Sequence, residues 1–211
     1  MRTEGSVPSG RDRPISRPAG RIVGPKRALK EKQVWAIRFY LSSQQRVRDR
    51  AMFDIAIDSK LRGCDVVQLK VSDVTSGSHI RTRSTVVQQK TGRPVQFEIT
   101  ETVRDSLAAW LHLLGGTLED CLFPSRVGRC PHIGTRQYAR LVDEWVSAIG
   151  LQPADYGTHS LRRTKASLIY KRTGNLRAVQ ILLGHTKIES TVRYLGVDIE
   201  DALAISEATD I

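Results

Sequence analysis

Thr158–Leu195 runs THSLRRTKASLIYKRTGNLRAVQILLGHTKIESTVRYL, and two glycines divide it into three helical segments. A helical pattern from His159 to Lys171 stops at Gly174. Leu176, Val179 and Leu183 then follow helical spacing up to Gly184. Glycine suits both ends because it enters the left-handed conformation without a Cβ penalty. Thr186 and Glu189 have the T-x-x-E spacing of a capping box, which predicts a third helix carrying Tyr194. His159 and Arg162, three residues apart, share a face at the start of the first helix. An arginine cannot lose its charge and needs acceptors, so this pair is awkward in a core, and a phosphate would satisfy both. Alone, H-x-x-R is also common on solvated helix faces.

Toward the N-terminus, Val34, Ile37 and Leu41 mark a first helix, and the dense apolar run from Val47 to Leu61 marks a buried one stopped by Gly63. Residues 71 to 99 are rich in Val, Thr and Ile, with turn signals at Ser76-Gly77-Ser78 and Thr91-Gly92-Arg93. They predict a small antiparallel sheet with Lys90 at the approach to its second turn. Val103–Leu114 and Arg136–Ile149 are helical again. The fold class expected is mainly α with a small antiparallel β-sheet (α+β), as one domain over residues 31–211.

Residues 1–30 read as a disordered basic tail. They hold eight basic residues, two acids and four prolines, which accounts for +6 of the net charge of +11. Such a field attracts phosphate backbones, which tilts the expectation toward a nucleic-acid partner, although ribosomal and membrane-surface proteins are basic too. Double-stranded DNA as that partner is what the family resemblance below implies. No apolar run approaches the roughly 18 residues that span a bilayer, so no membrane association is expected and the protein is placed in the cytoplasm, with the nucleoid. Three cysteines do not make a disulfide scaffold. Cys121, Cys130 and His132 lie close together, but their spacing fits no common zinc pattern and a fourth ligand is missing, so no metal site is expected.

Three further residues complete the candidates. Arg62 lies in Lys60-Leu61-Arg62-Gly63-Cys64-Asp65, at the end of the buried helix; Lys90 lies in Gln89-Lys90-Thr91-Gly92-Arg93; His185 follows Gly184. Tyr194 is a weak nucleophile, since with a pKa near 10 only about one in a thousand is ionised at pH 7. Two arginines and two histidines around a phosphodiester would supply the cations and the base that it needs. Taken singly, each of these residues fits a solvated helix end, a hairpin tip or a packing tyrosine.

Taken in order, Arg62, Lys90, His159-x-x-Arg162, His185 and Tyr194 resemble the active-site series of the tyrosine recombinases, the family of λ integrase and Cre, over residues 31 to 196. The resemblance implies that Arg62 and Arg162 clamp the non-bridging oxygens of the scissile phosphate and that His159 helps to activate the tyrosine. Lys90 would protonate the departing 5′-oxygen, His185 would contact the phosphate, and Asp65 would support the site. Tyr194 would form a 3′-phosphotyrosyl link, with the bond energy held there, so that no cofactor, metal or ATP is needed.

The resemblance has a gap, because relatives carry a helical core-binding domain of about a hundred residues where this chain has its tail. The short recombinases that invert fimbrial promoters are the better match, and an accessory DNA-binding protein is a possible partner. Residues 197–211 contain Asp198, Glu200, Asp201, Glu207 and Asp210 and no basic residue. By resemblance, this segment docks onto a neighbour in a DNA-bound homo-tetramer. Two other readings stay open: a catalytically idle DNA-binding regulator of the same fold, and a type IB topoisomerase-like enzyme. The intact set of six residues argues against decay.

Overall fold

A computed structural model of the chain describes residues 26–126 and 131–196, together with Glu207. The expectations for tail residues 1–25, for Cys130 and for the segment after Gly196 fall, Glu207 apart, outside the described residues.

Helix α1 (Glu31–Ser43) buries Val34, Ile37 and Leu41, the stripe that its spacing predicts. It packs on α2 (Val47–Ser59), in which every residue from Ala51 to Ser59 is buried. This central helix takes three acids into the core, and each has a cationic partner. Asp49 pairs with Arg46 and Arg48, Asp54 with Arg38 at 2.7 Å and Arg50 at 2.6 Å, and Asp58 with Lys165 at 2.5 Å. Buried carboxylates persist only when they are paired and hydrogen-bonded in this way.

Gly63 does not stop α2. The chain turns at Lys60, which adopts the left-handed conformation at φ 53°, and Gly63 opens the next helix, α3 (Gly63–Val67). A lysine in that conformation carries a steric cost, and tertiary contacts hold it there. Its buried ammonium bonds Glu98 at 2.9 Å and the Asp58 carbonyl.

Residues 71–74 also differ from expectation, forming a short helix α4 (Val71–Val74) capped by Asp73 on the Lys70 N–H at 2.8 Å. Two small antiparallel sheets follow in place of one. The first pairs β1 (Thr75–Ser76) with β2 (His79–Ile80); the second pairs β3 (Arg83–Val87) with β4 (Pro94–Glu98), with Arg83 opposite Glu98 and Val87 opposite Pro94. The second hairpin turns at Gly92, φ 62°. Val95 and Phe97 point inward from β4.

Helix α5 (Glu101–Leu114) covers α2, and α6 (Thr135–Ala148) brings Trp145 and Tyr138 into the core, with Phe53 edge-on to Trp145 at 5.8 Å. After a 3-10 turn at Pro153–Asp155 come α7 (Thr158–Thr173), α8 (Leu176–Leu183) and α9 (Ile188–Leu195). Gly174 and Gly184 end α7 and α8 in the left-handed conformation, as expected. The Thr186–Glu189 capping box does not form, because α9 begins one residue later than the box requires, with Lys187 at its N-cap and no side-chain cap. The result is a mainly helical fold with small antiparallel sheets. No helix among the described residues is long and apolar enough to cross a membrane.

Residues 26–30, expected in the tail, form a strap docked on the domain. Lys26 Nζ donates to the Ala154 carbonyl at 2.6 Å, and the Arg27 N–H to the Asp155 carbonyl at 2.9 Å. Leu29 is buried, with its N–H donating to Thr164 Oγ1 at 3.0 Å. The strap ends against α7.

Candidate active site

Arg162 occupies the first turns of α7 and is only 3% exposed. Its Nη1 donates to the Lys60 carbonyl at 2.6 Å and its Nη2 to the Leu183 carbonyl at 2.7 Å. The left-handed turns that end α2 and α8 place these two carbonyls, since Lys60 is itself the turn residue and Leu183 immediately precedes Gly184. Three of the five guanidinium N–H bonds remain for another acceptor.

Tyr194, in the last turn of α9, brings its ring into this region. Arg162 lies 5.9 Å from the ring centroid, Arg163 lies 5.0 Å from it, and the His185 ring stands edge-on at 5.4 Å. The phenolic hydroxyl donates to the His159 carbonyl at 3.4 Å. The loop that carries His185 is held by Gln180, whose Nε2 donates to the His185 carbonyl at 3.0 Å. His185 Nδ1 lies 3.1 Å from the hydroxyl of Thr191, a residue of Tyr194's own helix.

Arg62, at the N-cap of α3, donates from Nη1 to Gln88 Oε1 at 2.6 Å. Asp65 is buried, and its Oδ1 accepts the Gln89 N–H at 2.9 Å, which ties the second hairpin to α3. Its other carboxylate oxygen, also buried, has no hydrogen-bond partner among the described residues. Lys90 is exposed on the turn, with no hydrogen bond to the group, though its charge is felt at His159. Arg162, His185 and the His159 backbone thus all meet Tyr194; Arg62 and Asp65 join through the hairpin, and Lys90 stands at the rim.

The electrostatics keep this cluster short of negative charge. Partial burial pushes the His159 imidazole below its ordinary range, and Arg162, Arg163, Arg62 and Lys90 push it the same way. Burial lowers His185 to about 4, with Arg162 and Arg62 adding to the shift. Burial raises Tyr194 to about 12, against the pull of Arg162, Arg163 and Arg62. Desolvation outweighs the cations at the phenol, so without DNA the tyrosine is protonated and both imidazoles are neutral.

A stability prediction follows from His185. Its folded value of about 4 lies below the ordinary 6.5, so between these limits the unfolded chain binds a proton that the folded chain refuses. The contribution is fully present above pH 6.5 and is lost as pH falls toward 4. The melting temperature of the wild type should therefore fall more steeply from pH 7 to pH 5 than that of His185→Gln. Parallel melting curves across that range would remove His185 as the cause.

Sequence reasoning missed three contributors to the cluster. Arg163 was in the motif already quoted, without a role. Thr191 sits one turn before Tyr194 on the same helix face, a spacing that could have been noticed. Gln88 has no local signal, since only the fold brings it to Arg62.

Comparison with known proteins identifies the group. The phage integrase family model matches residues 27–200. The chain belongs to the phage integrase family. Among its relatives, the probable integrase/recombinase YoeC of Bacillus subtilis (strain 168) is 30% identical over 177 residues, covering 84% of this chain and 91% of the relative. Tyrosine recombinase XerC of Rhodospirillum centenum is 32% identical over 165 residues, covering 76% of this chain and 46% of that protein. The chain thus spans about half the length of this XerC relative. Among solved structures, the XerA recombinase shares the fold with a TM-score of 0.71 at 22% identity, covering 89% of this chain and 66% of the other. The tyrosine-recombinase resemblance drawn from the motifs therefore holds, and so does the fold class.

Proposed function

We propose that the chain is a site-specific DNA recombinase that cuts and rejoins DNA through a 3′-phosphotyrosyl link at Tyr194. The observation that carries this reading is the enclosure of Tyr194 by Arg162, Arg163, His185 and the His159 backbone. Membership of a family whose relatives include XerC recombinases supports it.

In the proposed reaction the phenolic oxygen of Tyr194 attacks the scissile phosphorus, and neutral His159 accepts the phenolic proton. The P–O bond to the 5′-oxygen breaks, and Lys90 donates a proton to that oxygen. Arg162 has three N–H groups left after holding its two carbonyls, and Arg62 has four after bonding Gln88. These meet the non-bridging oxygens, where negative charge grows in the transition state. When the Thr191 hydroxyl donates to His185 Nδ1, the proton of that imidazole sits on Nε2, free to face the phosphate. The raised pKa of Tyr194 makes a base necessary for attack. Asp65 acts as a support, pinning the Lys90 hairpin to the helix that Arg62 begins. Attack by the 5′-hydroxyl of a partner strand reverses the step without a metal or ATP.

The partner is double-stranded DNA, reached by the basic residues. Assembly is as a tetramer on paired sites, through the acidic segment 197–211 of each copy, with an accessory protein able to supply further DNA contacts.

The test is a covalent-adduct assay on labelled DNA tiled across the gene's own neighbourhood, resolved on a denaturing gel beside Tyr194→Phe. A slow, protease-sensitive band from wild type alone is the expected result. Binding without an adduct on any fragment, with cell extract added as well as without, would leave the idle DNA-bound regulator as the better reading. Relaxation of DNA that lacks paired sites would favour a topoisomerase instead.

A further inference from the structure

Gln88 is fully buried at the mouth of the second hairpin, and its amide touches three parts of the candidate site. Its Oε1 accepts from Arg62 Nη1 at 2.6 Å and from the Thr91 hydroxyl at 3.0 Å. Its Nε2 faces the Leu183 carbonyl at 3.4 Å. That carbonyl also accepts from Arg162 Nη2 at 2.7 Å. One amide therefore spans the two arginines, from Arg62 through Gln88 to the Leu183 carbonyl and on to Arg162. Thr91 adds the turn next to Lys90.

The packing leaves this amide no alternative place. A Cβ on Gly184 would lie 3.4 Å from Gln88 Oε1 and 3.5 Å from its Nε2, so the side chain is wedged beneath the glycine that ends α8. A buried amide left unpaired is costly, so its partners define its orientation. An arginine side chain has many rotamers, and a partly exposed one stays in a single pose only when a fixed acceptor holds it. Among the hydrogen bonds of the described residues, the one to Gln88 is the bond that Arg62's side chain makes.

We infer that Gln88 is a positioning residue, which sets the Arg62 guanidinium and its spacing from Arg162 before DNA arrives. The inference rests on the recombinase reading for its catalytic consequence, but not for the positioning itself. Prepaying the ordering of Arg62 leaves less to be organised in the transition state.

Two readouts test it. In nitrogen-15 NMR of the free protein, the Arg62 Nη signals, assigned by their loss in Arg62→Lys, should be resolved in wild type and averaged out in Gln88→Met. Gln88→Glu keeps the acceptor and should keep those signals. In single-turnover adduct formation at saturating DNA, Gln88→Met should be slower by roughly 10- to 100-fold, with DNA affinity within about threefold of wild type. If Gln88→Met does not fold, Gln88→Asn, which draws the amide back by one methylene, takes its place.

Arg62 signals that persist in the Met or Asn variant would overturn the assignment, whatever the activity. Signals lost equally in Gln88→Glu would overturn it too, as the mark of a general fold defect, and signals lost in Gln88→Met at an unchanged rate would overturn the catalytic consequence. A wild type that forms no adduct would count against the recombinase reading alone, and the Arg62 signals would then decide the positioning by themselves.

Discussion

Arg162→Lys is expected to slow covalent attachment to DNA by about 10²- to 10³-fold and to lower the melting temperature in the same variant. The two effects have one origin. Arg162 holds the Lys60 and Leu183 carbonyls with separate Nη groups while 3% exposed, and it keeps further N–H bonds free. Lysine carries its charge at a single nitrogen on a flexible stem, and it cannot reproduce the planar fork. The ammonium cannot replace both bonds: either the Lys60 carbonyl loses its arginine donor or the Leu183 carbonyl keeps only the long bond from Gln88 Nε2 at 3.4 Å, at a cost of roughly 1–3 kcal/mol. In a domain of this size that amounts to a fall of roughly 3–10 °C. The rate loss is larger because a point charge drawn toward the carbonyls cannot also meet a phosphate oxygen. Single-turnover gels and thermal melts on the same preparation measure both. Attachment at the wild-type rate would remove Arg162 from the phosphate, and an unchanged melt would remove the carbonyls from the account of stability.

Gly184→Ala should be the more damaging change to the fold. Gly184 sits at φ +67°, and a Cβ there would lie 2.5 Å from Val95 Cγ2. The left-handed backbone costs a non-glycine residue about 1–2 kcal/mol. The clash adds about 1–3 kcal/mol, because the branched Val95 side chain is stiff at χ1 and cannot swing aside. Together these predict a drop in melting temperature of roughly 5–15 °C. Val95→Ala offers a control, because it removes the clash but not the backbone strain. The double variant should be less destabilised than the two single changes added together. Strict additivity would mean that the β4 strand yields to the new methyl group. Since Gly184 lies between the Leu183 carbonyl and His185, adduct formation should fall as well.

The parts of the fold legible in the sequence were those specified locally. The stripe Val34–Ile37–Leu41 follows from helical period alone, and Gly174 and Gly184 end their helices through a preference that glycine carries anywhere. Lys60 shows the opposite case. Nothing local marks a lysine for the left-handed conformation, and the Glu98 carboxylate that helps to hold it lies on β4, far along the chain. The helix therefore turns three residues before Gly63, at a position that no local signal marks. The Thr186–Glu189 pair has the right spacing, yet α9 starts later, with Thr191 buried beside His185. At the site, His159, Arg162, His185 and Tyr194 are legible from type and spacing, and the fold brings the first three to Tyr194. Gln88 and the Arg163 contact to Tyr194 depend on long-range packing, which a linear pattern does not encode.

The strap of residues 26–30 can be considered as a mechanical part. Arg163 Nη1 donates to the Lys26 carbonyl at 2.7 Å while its guanidinium lies over the Tyr194 ring. A pull applied upstream of Lys26 meets its bond to Ala154, then the Arg27 and Leu29 bonds, before any load reaches α1. The same pull is transmitted through Arg163 to the ring of the tyrosine. A fusion partner or surface tether joined directly at Lys26 would thus strain the Tyr194 ring before it strained the core, whereas a flexible spacer ahead of Lys26 would take up the load.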